Sequence, residues 1–89
     1  MVAKADVLGA AGEQLAGAWN AVHKTDQERF GCRYVRRYNN RVQRGEFDED
    51  EAREDGEKLG KKAVGARDWA AFFQKLIDFW KQIAPLFIK

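Results

Sequence analysis

The sequence predicts an all-α fold: a small bundle of three to four amphipathic helices, with the C-terminal helix as the main core element. Three observations carry this. Apolar residues recur with a period near 3.6 in separate stretches of the chain. Cap and turn residues fall between those stretches. Only one proline, Pro85, interrupts a chain rich in Ala, Glu, Lys and Arg, which are good helix formers. Residues 1–89 are read as one domain. A hydrophobic fraction of 45% and a charged fraction of 34% set the chain apart from disordered sequences and fit one modest core.

The first helix is expected from about Asp6 to His23. Val7, Ala11, Leu15, Ala18, Trp19 and Val22 share a face. Gly9, Gly12 and Gly17 weaken it by roughly 1 kcal/mol each, and their use would be close approach of another backbone. Thr25-Asp26-Gln27-Glu28 reads as a capping box that starts a second helix. The competing reading is one long helix through Thr25. The second helix is expected to reach about Arg44, with Gly45 in the left-handed position after it. Phe30, Tyr34, Tyr38 and Val42 form its apolar face, with Val35 beside them.

Asp48 begins a third helix, with acids in the first turn and Lys58, Lys61 and Lys62 late, as the helix dipole favours. Glu54–Lys58 and Glu57–Lys61 have the spacing of i,i+4 ion pairs. Its buried stripe is thin: Ala52, Gly56, Leu59, Ala63 and Ala66. Small residues permit a close helix crossing, and Gly65 is the expected end. Asp68 is the expected N-cap of the last helix. Trp69, Phe72, Phe73, Leu76, Ile77, Phe79, Trp80, Ile83 and Phe87 cover nearly half its circumference. Pro85 cannot donate to the carbonyl of Lys81 and bends or ends that helix. Leu86, Phe87 and Ile88 either fold back on the bundle or form a short docking tail.

Most catalytic and ligand chemistries lack their residues. His23 is the only histidine and Cys32 the only cysteine, so neither an internal disulfide nor a Cys-rich zinc module can form. Cys32, beside Arg33 and Arg36, reads as a small packed side chain or as a redox thiol. His23 reads as a helix-end residue near the negative pole of the dipole. Asp48 and Asp50 mimic the start of a calcium loop, but the next alternate position is Ala52 and the required glycine is Arg53. No nucleotide-binding glycine loop is present. The expectations are no metal, no cofactor and no enzymatic activity. The opening residues lack a long apolar core and carry Asp6 and Glu13, which does not suit a secretory leader. No apolar run approaches the length of a membrane span. A cytoplasmic protein is expected.

The net charge of +2 conceals a polar division. Residues 24–44 hold seven basic side chains against two acidic ones, and residues 46–57 hold eight acidic against one basic. Arg29, Arg33, Arg36, Arg37, Asn40 and Arg44 cluster on the side of the second helix away from its apolar face, whereas Arg41 falls at the apolar edge. Arginine favours bidentate contacts with carboxylate and phosphate. The stripe is expected to bind an acidic protein partner, which makes the chain an interaction module or small accessory protein. One alternative is nucleic acid, which the acidic block would repel. Another is internal pairing of the stripe with residues 46–57. A peripheral membrane role is the third alternative, with Trp69, Phe73, Trp80 and Phe87 as the membrane or partner face.

Overall fold

A computed structural model describes residues 12–87. Four helices and no strand lie among them. Helix α1 spans Gly12–Ala21. Helix α2 covers residues 24–43 in three joined pieces: Lys24–Asp26, a π-helical turn at Gln27–Gly31, and Cys32–Gln43. Helix α3 spans Glu49–Gly60 and α4 spans Ala66–Ile83. A 3₁₀ turn, Ala84–Phe87, follows α4. The expected first turn of the first helix, with Asp6, Val7, Gly9 and Ala11, lies outside the described residues, as does Ile88.

Helix α4 is the centre of the bundle. Trp69, Phe72, Phe73, Leu76, Ile77 and Trp80 are all buried on it. Helices α1 and α3 pack on α4, the first through Leu15 and Trp19. Phe30, Tyr34, Val35, Tyr38 and Val42 bring the apolar side of α2 into the same core. Aromatic rings fill it at edge-on and tilted angles: Phe30 and Trp69 meet at 5.0 Å, Trp19 and Phe72 at 5.1 Å. Trp69, Phe73 and Trp80 are therefore core residues rather than a membrane or partner face. Phe87 alone of that set is exposed. The 3₁₀ turn rests near α2 but leaves Leu86 80% exposed.

Helix α3 supplies little apolar area, and hydrogen bonds to its carbonyls hold it instead. The Tyr34 hydroxyl donates to the Ala52 carbonyl at 2.7 Å. The Trp69 indole N–H donates to the Gly56 carbonyl at 2.8 Å. These two bonds clamp one face of α3 between α2 and α4. The close crossing expected from the small stripe is real at Gly56, where a Cβ would lie 2.7 Å from the Phe73 ring. The close backbone approach expected of Gly17 in the first helix is not found, since Gly17 faces open space. The indole N–H of Trp80, also buried, has no partner among the described residues.

The helix ends correct several sequence expectations. Asp48 caps α3 as expected, accepting from the amides of Asp50 at 2.9 Å and Glu51 at 3.3 Å. Gly45 takes φ 73°, and the amides of Gly45 and Glu46 return to the carbonyls of Val42 and Arg41. The cap of α2, however, is His23 rather than Thr25. Its Nδ1 accepts from the Thr25 amide at 3.1 Å, so His23 sits at the positive pole of α2. Gln27 donates to the Trp19 and Val22 carbonyls at 2.9 and 3.1 Å, which ends α1 and makes a break before Thr25. Helix α3 stops at Gly60, short of Gly65, because the amides of Lys61, Lys62 and Ala63 fold into a tight turn. Gly65 is the N-cap position of α4, and Asp68 lies in its first turn rather than at the cap. The helix ends at Ile83, two residues before Pro85.

Candidate functional site

The outer side of α2 carries the predicted stripe as a ridge. Arg29, Arg33, Arg36, Arg37, Asn40 and Arg44 are all exposed. Phe30, Tyr34, Tyr38 and Val42, offset around the same helix, are buried. Period and burial agree because α2 has one neighbour-facing side and no covering layer on the other.

The acids of α3 engage only one edge of this ridge. Arg37 pairs with Asp55 at 3.6 Å, and Arg41 with Glu51 at 2.7 Å. The Glu51 oxygen lies off the guanidinium N–H direction, so the contact is an ion pair rather than a directed hydrogen bond. Internal pairing of the basic and acidic blocks is thus real, but it runs through Arg37 and through Arg41, the arginine that the helical wheel set apart from the stripe. Arg29, Arg33, Arg36 and Arg44 have no carboxylate within ion-pair distance among the described residues. Other acids turn elsewhere. Glu49 pairs with Arg53 at 3.0 Å and with Lys81 at 3.5 Å, which ties α3 to α4. The Arg53 guanidinium, with help from Lys81, holds the Glu49 carboxyl below the usual carboxylate range. The expected Glu54–Lys58 and Glu57–Lys61 pairs do not come within that distance.

Between α2 and α3 the ridge drops into a groove of about 300 Å³. Phe30, Tyr34, Tyr38 and Leu59 form its floor and walls. Arg33 and Arg37 stand on one rim, Lys58 and Lys62 on the other, with Asp55 as the acid between them. The Tyr38 hydroxyl donates to the Asp55 carboxylate, and the Arg37 and Arg41 guanidiniums flank the Tyr38 ring at 5.8 and 5.9 Å. Sequence reading missed Lys58, Lys62 and Leu59 as site residues. Their late position gave both lysines a helix-dipole role, with Lys58 also read as the partner of Glu54, and nothing local indicates that they face α2.

Burial pushes both phenols well above the ordinary tyrosine value. For Tyr34 the proximity of Tyr38 and Asp55 adds to it; for Tyr38 the hydrogen bond to Asp55 does. These are the only tyrosines in the chain, which makes the effect readable. An unfolded phenol releases its proton near pH 10, while the folded ones hold theirs. Their contribution to stability is therefore complete below about pH 10 and falls as pH rises from there toward the raised folded values. Tyr34 should remove roughly 1.4 kcal/mol per pH unit over that window, and Tyr38, whose bond to Asp55 is part-buried and screened by solvent, should remove less. Tyrosinate absorbance and far-ultraviolet circular dichroism, titrated together, should change in a single transition. Tyrosinate from both residues appearing while helicity stays intact would contradict the buried Tyr34 bond.

No group of three His, Cys, Asp or Glu side chains among the described residues could hold a metal ion. Cys32 is half-buried against the core, and the His23 ring is engaged at the start of α2. No helix among the described residues is long and apolar enough to cross a membrane.

The chain matches no protein-family model, no curated protein and no solved structure. Ridge and groove together are the feature from which a function can be argued.

Proposed function

We propose that this chain is a non-catalytic interaction protein that binds an acidic partner surface through the arginine ridge of α2. The observation that supports this reading is the mismatch between charge and pairing. Arg29, Arg33, Arg36 and Arg44 are exposed on a helix whose opposite side is locked into the core, and they meet no carboxylate among the described residues. A rigid row of guanidiniums loses less freedom on binding than a loop would, so more of each contact is kept as affinity. An exposed ion pair contributes only about 0–1 kcal/mol, so the ridge must act as a set, with Asn40 completing it.

The test is charge reversal at Arg33→Glu and Arg36→Glu together. Helicity and Tm should stay nearly unchanged, because neither residue holds an internal ion pair. Affinity for an acidic partner should fall at least about tenfold, roughly 1.4 kcal/mol. A large loss of stability in the double variant would defeat the ridge reading. Binding of a random DNA duplex in preference to an acidic protein surface, with steep salt dependence, would favour the nucleic-acid alternative. A catalytic activity lost on Cys32→Ser would overturn the non-catalytic reading.

A further inference from the structure

We propose that the groove between α2 and α3 is an anchor pocket: it receives one aromatic or large aliphatic side chain from an acidic peptide segment, whose flanking carboxylates are taken by Arg33, Lys58 and Lys62. This deepens the ridge reading and rests on it. Three features point to such an occupant. The groove's volume of about 300 Å³ is at the lower end for ligand sites, the scale of one large side chain rather than an extended cofactor. Its floor is apolar and aromatic, supplied by Phe30, Tyr34 and Leu59. Its rims carry four cations against one carboxylate, and of those cations Arg37 alone has an ion pair.

That one carboxylate sets the affinity. Asp55 already neutralises Arg37 and accepts from Tyr38. It therefore stands in for a ligand carboxylate at one corner of the groove and competes with it. The same acid, together with the acidic start of α3, repels a long polyanion, whereas a short acidic peptide can end before reaching it. The aromatic lining is largely buried, with Phe30 9% and Tyr34 4% exposed, so no broad ring face is open for a base to stack on, and the site suits an inserted side chain better.

The experiment is fluorescence anisotropy on the full chain with a labelled heptapeptide in which one phenylalanine stands between two runs of three glutamates. A matched peptide with serine in place of the phenylalanine is the control. The phenylalanine peptide should bind about tenfold more tightly than the serine peptide. Lys58→Glu with Lys62→Glu should weaken both peptides about tenfold, because both carry the same flanking carboxylates. Asp55→Asn, which keeps an acceptor for Tyr38 but removes the competing charge, should tighten binding about threefold. Equal binding of both peptides, unaffected by the lysine reversals but weakened by Arg36→Glu with Arg44→Glu, would overturn the anchor pocket and leave the ridge standing. Failure of both peptides to bind at millimolar concentration would overturn the pocket and the ridge together. Tighter binding of a single-stranded oligonucleotide than of the phenylalanine peptide would overturn the assignment of partner class.

Discussion

Replacing Asp26 by alanine should cost this fold roughly 3 kcal/mol, the largest loss expected from any single polar substitution in it. The Asp26 side chain is fully buried. Its two oxygens accept from the amides of Val64 at 2.8 Å and Gly65 at 2.9 Å. Those amides lie in the turn between α3 and α4, where neither helix can satisfy them. Without the carboxylate, two donors lose their acceptor together. Each unsatisfied buried donor costs about 1–3 kcal/mol, so two cost about 2–6, and the partial exposure of this turn puts the expected sum in the lower half of that range. A domain of this size has only about 5–15 kcal/mol in total. The expected fall in Tm is on the order of 15 °C. Asp26→Asn should recover only part of it, since the amide carbonyl can accept from one N–H while the NH₂ group faces the other. Thermal melts of the two variants beside the wild type check this. An alanine variant within about 1 kcal/mol of wild type would show that water replaces the carboxylate at little cost.

Gly56→Ala should also destabilise, by about 1–2 kcal/mol, although alanine is the better helix former. The new methyl would lie 2.7 to 3.0 Å from three atoms of the Phe73 ring, and Phe73 is itself buried. Overpacking of that kind costs about 1–3 kcal/mol, and the propensity gain of nearly 1 kcal/mol offsets part of it. Separation of α3 from α4 would also stretch the Trp69 bond to the Gly56 carbonyl. Gly17→Ala is the internal control. A methyl at Gly17 meets nothing within 4 Å, so the same exchange should stabilise by up to about 1 kcal/mol. Urea unfolding of the two variants should give midpoint shifts of opposite sign. A stabilising shift in both variants would mean that the contact at Gly56 is not tight.

The two glycines show why part of this protein was legible in its sequence and part was not. Both sit inside helices, and periodicity treats them alike. Only the neighbour across the helix face distinguishes them. The ridge was legible because exposure on α2 follows from the angle between residues on one helix: Arg33, Arg36 and Arg44 oppose Tyr38 and Val42 by geometry internal to the segment. Arg41 was legible only as an edge residue. Its partner Glu51 belongs to another helix, so the pairing depended on how α2 and α3 cross. The groove escaped sequence reading for the same reason, since Lys58 stands on α3 and Lys62 in the turn that follows it.

The order of residues already specified an all-α bundle of three to four helices, the cap at Asp48, the left-handed turn at Gly45 and the role of α4 as core donor. Each of these rests on backbone bonds and side-chain angles within one turn of a residue, which the order of residues specifies directly. The tertiary structure alone decided that Asp26 turns inward, that α3 ends at Gly60, that Trp69, Phe73 and Trp80 are enclosed, and that Lys58 and Lys62 face Arg33 and Arg37. Those outcomes depend on distances between residues far apart in the chain. Asp26 and Val64 are 38 positions apart, and no local pattern records a bond between them, because its energy exists only after the helices have packed.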